Sequence, residues 1–215
     1  MSEVYTKGFA FIFEGETEKQ FYFSLLDHLC KKHGATIERI ENKDDPDIIY
    51  ELNFADKKSL IKFVTANSIT KIHCFGNWFN YSCYSKHNID WIVFLCYDTD
   101  NYKYDISKFY ENEWKELREL LGNAKKVIDI AAAADIEDIM LKDLMSVLKF
   151  ISAPQQSVTL RGRKGKVRMK NLFRDNNCTY HEGKRARPLI DLLDKQLLID
   201  DGTIPLKEIE ENMFK

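Results

Sequence analysis

The chain has 215 residues, of which 44% are hydrophobic and 31% are charged. This length supports one sizeable core, so we expect one domain over 1–153 and a C-terminal extension over 154–215 packed on it. The 32 Lys and Arg nearly balance the 34 Asp and Glu, and a net charge of -2 excludes no class of partner. No apolar run reaches the length of a membrane span, and the five cysteines lack CxxC spacing, which favours a cytoplasmic protein with reduced thiols.

The first predicted elements are a buried strand and a helix. Gly8 to Phe13 is a continuous apolar run, which is typical of a strand covered on both faces. Thr17 and Gln20 have the spacing of a helix capping box, and apolar residues then repeat with helical spacing as far as Gly34. The further predicted elements are a helix over 56–67, strands over 71–75 and 91–97, a helix over 106–121, a strand over 125–130 and helices beginning near 136 and 188.

Alternation of strands and helices predicts an α/β fold with a mainly parallel sheet flanked by helices, followed by a basic extension that ends in helices. In such a sheet, ligands bind outside the carboxyl ends of the parallel strands. The pattern therefore indicates where a functional site would lie.

Carboxylates follow three of the predicted strands. Glu14 ends the first strand, Asp98 and Asp100 end the strongest strand, and Asp135 and Glu137 follow the last strand. Gathered carboxylates repel one another and are costly to desolvate unless a positive charge joins them. Oxygen ligands of this kind suit Mg²⁺ or Mn²⁺, so the sequence predicts a metal site, with two ions expected.

Each carboxylate also has a simpler interpretation. Glu18 in the first turn of a helix opposes the helix dipole, and Asp135 is a suitable N-cap. Asp98 and Asp100 are common turn formers. Neither capping nor turn formation requires carboxylates at three separate strand ends, so the three clusters together favour a site.

These motifs carry a family resemblance. An apolar strand followed by Glu14-Gly15-x-Thr17-Glu18, a strand ending in Asp98-x-Asp100, and a third acidic set at Asp135 together resemble the TOPRIM domain, closest to OLD-type nucleases and RloB-like proteins. The resemblance covers about residues 8–150 and implies a Rossmann-like TOPRIM fold. It implies a metal-dependent endonuclease that hydrolyses DNA or RNA, with a role in phage defence or nucleic-acid processing.

The resemblance also implies residue roles. Two metal ions would flank a phosphodiester, one activating water and the other stabilising the leaving oxygen. OLD-type enzymes use a C-terminal lysine, and Lys184 is the candidate here. OLD nucleases also carry an ATPase domain that this chain lacks, which leaves an ATPase partner in trans open. The implied metal ligands are Glu14, Glu18, Asp98, Asp100, Asp135 and Glu137, and the implied catalytic residues are Glu14, Asp98, Asp100 and Lys184.

A basic segment follows Pro154. It is predicted to hold a nucleic-acid backbone, and Tyr180 within it is a candidate to stack on unpaired bases. The alternative is a solvated loop or a lid that offsets the acidic clusters within the protein. The predicted nucleic-acid-binding residues are Arg161, Arg163, Lys164, Lys166, Arg168, Lys170, Arg185 and Arg187.

Two other function classes remain open from the sequence. In a glycosyltransferase, Asp98 and Asp100 would hold a metal bound to a sugar nucleotide, although this leaves Glu14 and the basic segment unexplained. In a non-catalytic nucleic-acid-binding adaptor, the TOPRIM-like core would be structural and the basic segment would bind alone.

Overall fold

A computed structural model describes residues 5–41, 48–103, 105–154 and 158–215. In this part of the chain, six strands form one sheet with the order β2-β3-β4-β1-β5-β6. Strands β4, β1, β5 and β6 are parallel, and β2 and β3 add an antiparallel edge. The strands are β1 (Lys7–Phe13), β2 (Thr36–Ile40), β3 (Ile49–Phe54), β4 (Lys57–Thr65), β5 (Asp90–Asp98) and β6 (Lys126–Ala132).

Helices cover both faces of the sheet, which confirms the predicted mixed α/β architecture. Within the described residues, no helix is both long and apolar enough to cross a lipid bilayer. The α-helices are α1 (Glu16–His33), α2 (Phe75–Trp78), α3 (Asn112–Leu120), α4 (Ile136–Met140), α5 (Leu144–Phe150), α6 (Gly165–Asp175), α7 (Arg187–Leu192), α8 (Lys195–Asp201) and α9 (Leu206–Phe214).

The two central strands explain the continuous apolar runs of the sequence. Because successive side chains of a strand point to opposite faces, Phe11 packs into one core and Ile12 into the other. The register pairs Phe13 with Cys96, and Asp98 with Ala132. The carboxyl ends of β1, β5 and β6 therefore lie side by side.

Three predicted elements differ in the structure. Residues 57–65 form β4 rather than a helix, because Ala55 and Asp56 both adopt positive φ and turn the chain into a hairpin from β3. Residues 69–74 form a 3-10 helix rather than a strand, since a short apolar run does not distinguish the two. The helix over 106–121 is divided into a 3-10 turn and α3.

The C-terminal extension packs on the domain. Its residues Met169, Leu189 and Ile209 are buried in the same core as Phe11 and Leu25. The extension is folded and closes one face of the sheet. Division of the chain at 153/154 stays a prediction.

A close backbone approach joins the extension to the sheet's carboxyl edge. Gly165 begins α6, and a Cβ atom there would lie 2.1 Å from the Asp138 backbone nitrogen and 2.4 Å from Asp135 Oδ1. The Gly165 N–H donates to Asp138 Oδ2 at 2.8 Å, and the Lys166 N–H donates to Asp135 Oδ2 at 3.1 Å. Two helix N-termini are thus held together by two carboxylates.

We expect Gly165→Ala to destabilise the protein by about 1–3 kcal/mol, because the added methyl group overlaps the α4 backbone and forces α6 away. Gly34→Ala is the matched control. Gly34 has positive φ but no atom within 4 Å of an added Cβ, so only backbone strain is introduced. Urea unfolding measures both variants. A smaller loss for Gly165→Ala than for Gly34→Ala would contradict the close approach.

Candidate functional site

A cavity of about 520 Å³ lies outside the carboxyl ends of the parallel strands. It opens where β1, β5 and β6 end, as expected for an open α/β sheet. The structure thus brings together the acidic clusters predicted from sequence. Six of those residues line the cavity: Glu14, Glu18, Asp98, Asp100, Asp135 and Glu137.

The turn after β1 is tied to β5 by a hydrogen bond between a backbone N–H group and a side chain. Glu14 Oε2 accepts the Asp98 N–H at 3.0 Å, so this carboxylate bridges the ends of β1 and β5. Burial raises the pKa of Glu14, and the nearby Asp100 carboxylate raises it further. Glu14 is consequently a partly desolvated carboxyl held at a set position.

The predicted capping box at Thr17 and Gln20 is wrong. The N-cap of α1 is Gly15 in extended conformation, and no side chain caps the helix. Thr17 Oγ1 instead accepts the Gly183 N–H at 2.9 Å, which ties the C-terminal extension to α1. Gln20 donates to Glu16 at 2.7 Å.

Glu18 is buried in the first turn of α1. A Cβ at Gly15 would lie 2.6 Å from Glu18 Oε2, so the glycine leaves room for this carboxyl group. Desolvation raises the pKa of Glu18 to about 7, and the Glu14 and Glu137 carboxylates add to the rise. Glu18 is buried close to other carboxyl groups, so it is more than a surface side chain that opposes the dipole of α1.

Glu137, in α4, is a second buried carboxyl group that lines the cavity. Its Oε1 accepts the Tyr180 hydroxyl at 3.0 Å. Burial raises the pKa of Glu137 to about 7, with a further contribution from Asp135, while the Tyr180 hydrogen bond lowers it. Asp135 has the capping role that the sequence suggested, since Oδ1 accepts the Asp138 N–H at 3.0 Å.

The two carboxylates after β5 have different surroundings. Asp98 Oδ1 is buried and has no hydrogen-bond partner among the described residues. Burial raises the pKa of Asp98 well above its usual range, and Glu18 and Glu14 raise it further. Asp100 is exposed, has positive φ and pairs with Lys164 at 2.5 Å. Both line the cavity, and Asp98 is the more buried of the two.

Much of the basic segment is engaged within the protein. Lys166 and Lys170 both pair with Glu182, at 2.5 and 2.6 Å, and Arg168 pairs with Asp138 at 3.0 Å. These contacts match the alternative in which the segment offsets the acidic clusters. Arg161 pairs with Asp175, and Arg187 pairs with Asp27 and Asp191.

Three predicted cations remain exposed without an ion pair among the described residues, namely Arg163, Lys184 and Arg185. Lys184 does not line the cavity, so the structure does not bring it to the other predicted catalytic residues. Tyr180 is buried and bonded to Glu137, which is incompatible with stacking on bases.

Sequence reasoning missed two residues of the site. The sequence pattern predicts that Tyr180 stacks on unpaired bases, and it indicates no role for Glu182. Both lie about forty residues after the last acidic cluster, in a segment whose path across α4 is set by tertiary packing. The one available signal was that both are exceptions to the segment's basic composition.

No protein-family model matches the chain, and no curated protein matches it. Among solved structures, the native futalosine hydrolase of Helicobacter pylori strain 26695 matches with 8% identity and a TM-score of 0.33, covering 98% of this chain and 100% of that one. Campylobacter jejuni 5'-methylthioadenosine/S-adenosyl homocysteine nucleosidase matches with 12% identity and a TM-score of 0.30, covering 97% and 100%. Likeness at these TM-scores carries no argument about activity.

The predicted TOPRIM membership is wrong on these findings. No TOPRIM, OLD or RloB-like family model matches the chain. The metal-dependent endonuclease and the phage-defence role were implied by that resemblance, so these two predictions are wrong as well.

The predicted Mg²⁺ or Mn²⁺ site is also wrong. Within the described ranges, no group of three or more His, Cys, Asp or Glu side chains is arranged to hold a metal ion. Three of the six predicted ligands already have partners within the protein. Glu14 accepts a backbone N–H, Glu137 accepts a hydroxyl, and Asp100 is turned outward to Lys164.

The raised pKa of Glu18 gives the protein a stability that depends on pH. The folded state holds this proton more tightly than the unfolded state, whose pKa is near 4.5, so stability falls as pH rises between about 4.5 and 7. We expect Glu18→Gln to remove the contribution of Glu18 to this fall and to stabilise the protein above pH 7 by about 2 kcal/mol, while the contribution of Glu137 remains.

Urea unfolding as a function of pH measures this effect, with the exposed Glu116→Gln in α3 as the control that keeps the wild-type profile. A Glu18→Gln variant that loses stability above pH 7 would show that the ionised carboxylate stabilises the fold.

Proposed function

We propose that the cavity is the active site of a hydrolase that cleaves a glycosidic bond in a small polar substrate by carboxyl acid–base catalysis. The observation that supports this is the placement of Glu18 and Glu137 in one cavity, both with pKa raised to about 7. Paired carboxyl groups of this kind are the usual machinery of glycosidic bond hydrolysis.

The size of the cavity supports a small substrate. About 520 Å³ lies within the range of sites that enclose small molecules. Its walls present carboxyl oxygens, which accept hydrogen bonds from substrate hydroxyl groups. A hydroxyl-rich ligand such as a sugar or nucleoside suits these walls.

The two carboxyl groups take different roles. Tyr180 donates a hydrogen bond to Glu137, which favours the ionised form of that carboxyl group. Among the described residues, no comparable side-chain donor contacts Glu18, so Glu18 holds the proton when the two groups share one. Glu18 is then the general acid and Glu137 the general base.

The reaction follows from these roles. Glu18 donates its proton to the oxygen or nitrogen of the leaving group as the bond to the anomeric carbon breaks. Glu137 takes a proton from water as the water oxygen bonds to that carbon. The products are the free sugar and the protonated leaving group, and proton exchange with solvent restores both carboxyl groups.

Lys166 supports this arrangement electrostatically. It lines the cavity beside Glu182, and its charge lowers the pKa of both Glu18 and Glu137. It therefore keeps the two values near neutrality although both groups are buried. A general acid or base works best when its pKa lies near the operating pH.

We expect Glu18→Gln and Glu137→Gln each to reduce turnover by about 10²–10⁴, because each removes one proton transfer. The wild-type rate should follow a bell-shaped pH profile centred near neutrality. A panel of nitrophenyl glycosides and nucleosides, assayed for released nitrophenol, base or reducing sugar, measures both effects.

Glu116→Gln again serves as the control and should keep wild-type turnover. Turnover that required added Mg²⁺ or Mn²⁺ and ceased in EDTA would contradict the assignment, as would full activity in both glutamine variants.

We also propose that nucleic acid, either DNA or RNA, contacts the exposed cations Arg163, Lys184 and Arg185. Arg163 and Arg185 belong to the predicted nucleic-acid-binding set, and Lys184 is the predicted catalytic lysine. None of the three forms an ion pair among the described residues. Partners of the chain, including an ATPase in trans, stay predictions, as does a cytoplasmic location.

We expect replacement of Arg163, Lys184 and Arg185 by alanine to weaken nucleic-acid binding for all sequences alike. The log-log salt slope should fall by about 0.7–0.9 for each lost phosphate contact. Fluorescence anisotropy over a salt series measures the slope. Replacement of three exposed lysines elsewhere is the control: Lys103, Lys115 and Lys207. An equal fall of the salt slope in both triple variants would show that these three cations do not contact the nucleic acid.

A further inference from the structure

A carboxylate of the protein itself is held between two lysines beside the cavity. Glu182 Oε2 lies 2.5 Å from Lys166 Nζ, and Glu182 Oε1 lies 2.6 Å from Lys170 Nζ. The two lysines are four residues apart in α6, so they lie on the same face of the helix in successive turns. Each carboxylate oxygen thus has its own ammonium group. We call Lys166 and Lys170 the lysine clamp.

The lysine clamp carries more positive charge than Glu182 neutralises. Two ammonium groups face one carboxylate, and among the described residues neither lysine pairs with a second carboxylate. Burial raises the pKa of Glu182, but its hydrogen bonds with Lys166 and Lys170 lower it below its usual value. Glu182 is therefore ionised at neutral pH, and the clamp holds an oxyanion that belongs to the protein.

Glu182 can leave the lysine clamp without a change of the fold. Its side chain is 36% exposed, and those of Lys166 and Lys170 are 47% and 51% exposed. Ion pairs with this exposure contribute little to stability. The backbone beside Glu182 is held separately, because the Gly183 N–H donates to Thr17 Oγ1 at 2.9 Å. Exchange of Glu182 for another oxyanion therefore requires rotation of one side chain only.

The lysine clamp adjoins the proposed active site. Lys166, Glu182 and Gly183 line the same cavity as Glu18 and Glu137. Burial raises the pKa of Glu18 and of Glu137 to about 7, so in slightly acidic solution both groups are largely uncharged and do not repel an anion. A ligand in the cavity can therefore reach the clamp with an anionic substituent.

We propose that Lys166 and Lys170 form an oxyanion subsite that Glu182 occupies until substrate binds, so that the substrate is a glycoside carrying a phosphate or carboxylate group. This inference rests on the proposed hydrolase function for the bond that is cleaved. It rests on the lysine clamp for the anionic group. Glu182 is then a competitor within the protein, and the substrate oxyanion replaces its two charge-assisted hydrogen bonds.

The test compares three sugars in equilibrium binding, without any requirement for hydrolysis. The probes are D-glucose 6-phosphate, D-glucuronate and D-glucose, titrated calorimetrically at slightly acidic pH. We expect one of the two anionic sugars to bind at least about tenfold more tightly than D-glucose, since one charge-assisted hydrogen bond is worth about this much. The tighter of the two identifies the oxyanion as phosphate or carboxylate.

Variants of the clamp distinguish the subsite from general attraction of anions. Glu182→Gln should tighten binding of the preferred anionic sugar by about two- to fivefold, because the ligand no longer displaces an exposed ion pair, and should leave the affinity for D-glucose unchanged. Lys170→Gln should weaken binding of the anionic sugar alone, because one of the two ammonium groups is lost.

The matched controls for these two charge changes are Glu116→Gln and Lys115→Gln, both at exposed positions in α3. They should keep the wild-type affinities, and thermal melting establishes that all four variants are folded. Equal affinity for the three sugars would overturn the proposal. An unchanged affinity for both anionic sugars in Glu182→Gln would also overturn it, as would an unchanged preference in Lys170→Gln.

The two proposals fail in different ways. Preferential binding of an anionic sugar without hydrolysis of any glycoside in the panel would remove the proposed function and leave the oxyanion subsite. Hydrolysis of neutral glycosides without preference for an anionic sugar would overturn only the oxyanion subsite.

Discussion

Desolvation of carboxyl groups at the ends of adjacent parallel strands is the constraint that the rest of the site depends on. Alignment of β1 with β5 and β6 brings Glu14, Asp98 and the start of α4 together. Helices on both faces then exclude water from these groups. The protein offsets the resulting electrostatic cost with backbone N–H groups, one tyrosine hydroxyl and a few lysines, so the C-terminal extension is part of the site.

The C-terminal extension pairs several of its cations with acidic residues of the same chain, whose net charge is close to zero. Its lysines and arginines form ion pairs with acids after β5, on α4 and in the loop before α7, as Lys164, Arg168 and Lys170 illustrate. A basic segment in a sequence is often interpreted as a surface for polyanions. Here, Lys164, Lys166 and Lys170 instead pair with acids that line the cavity.

The sequence predicted the coarse fold and the location of the acidic clusters, because long apolar runs and strand-end carboxylates are local signals. The prediction was wrong where one local sequence pattern is compatible with two different structures. Residues 57–65 satisfy helical spacing, yet the positive φ of Ala55 and Asp56 makes them a strand. The motif around Glu14 suggested a family whose metal chemistry the comparisons do not support. The roles of Tyr180 and Glu182 in the cavity could not be assigned from the sequence, because they depend on contacts with distant elements.

The hydrogen bond from the Asp98 backbone to Glu14 has a consequence for heat inactivation. It joins the Glu14 carboxyl group to the same ladder that holds the two central strands together. A loop-borne site loses its geometry when the loop loosens, well before the core melts. In this protein, the spacing between Glu14 and Asp98 persists as long as β1 and β5 remain paired. This part of the cavity is therefore lost only when the central sheet itself unfolds.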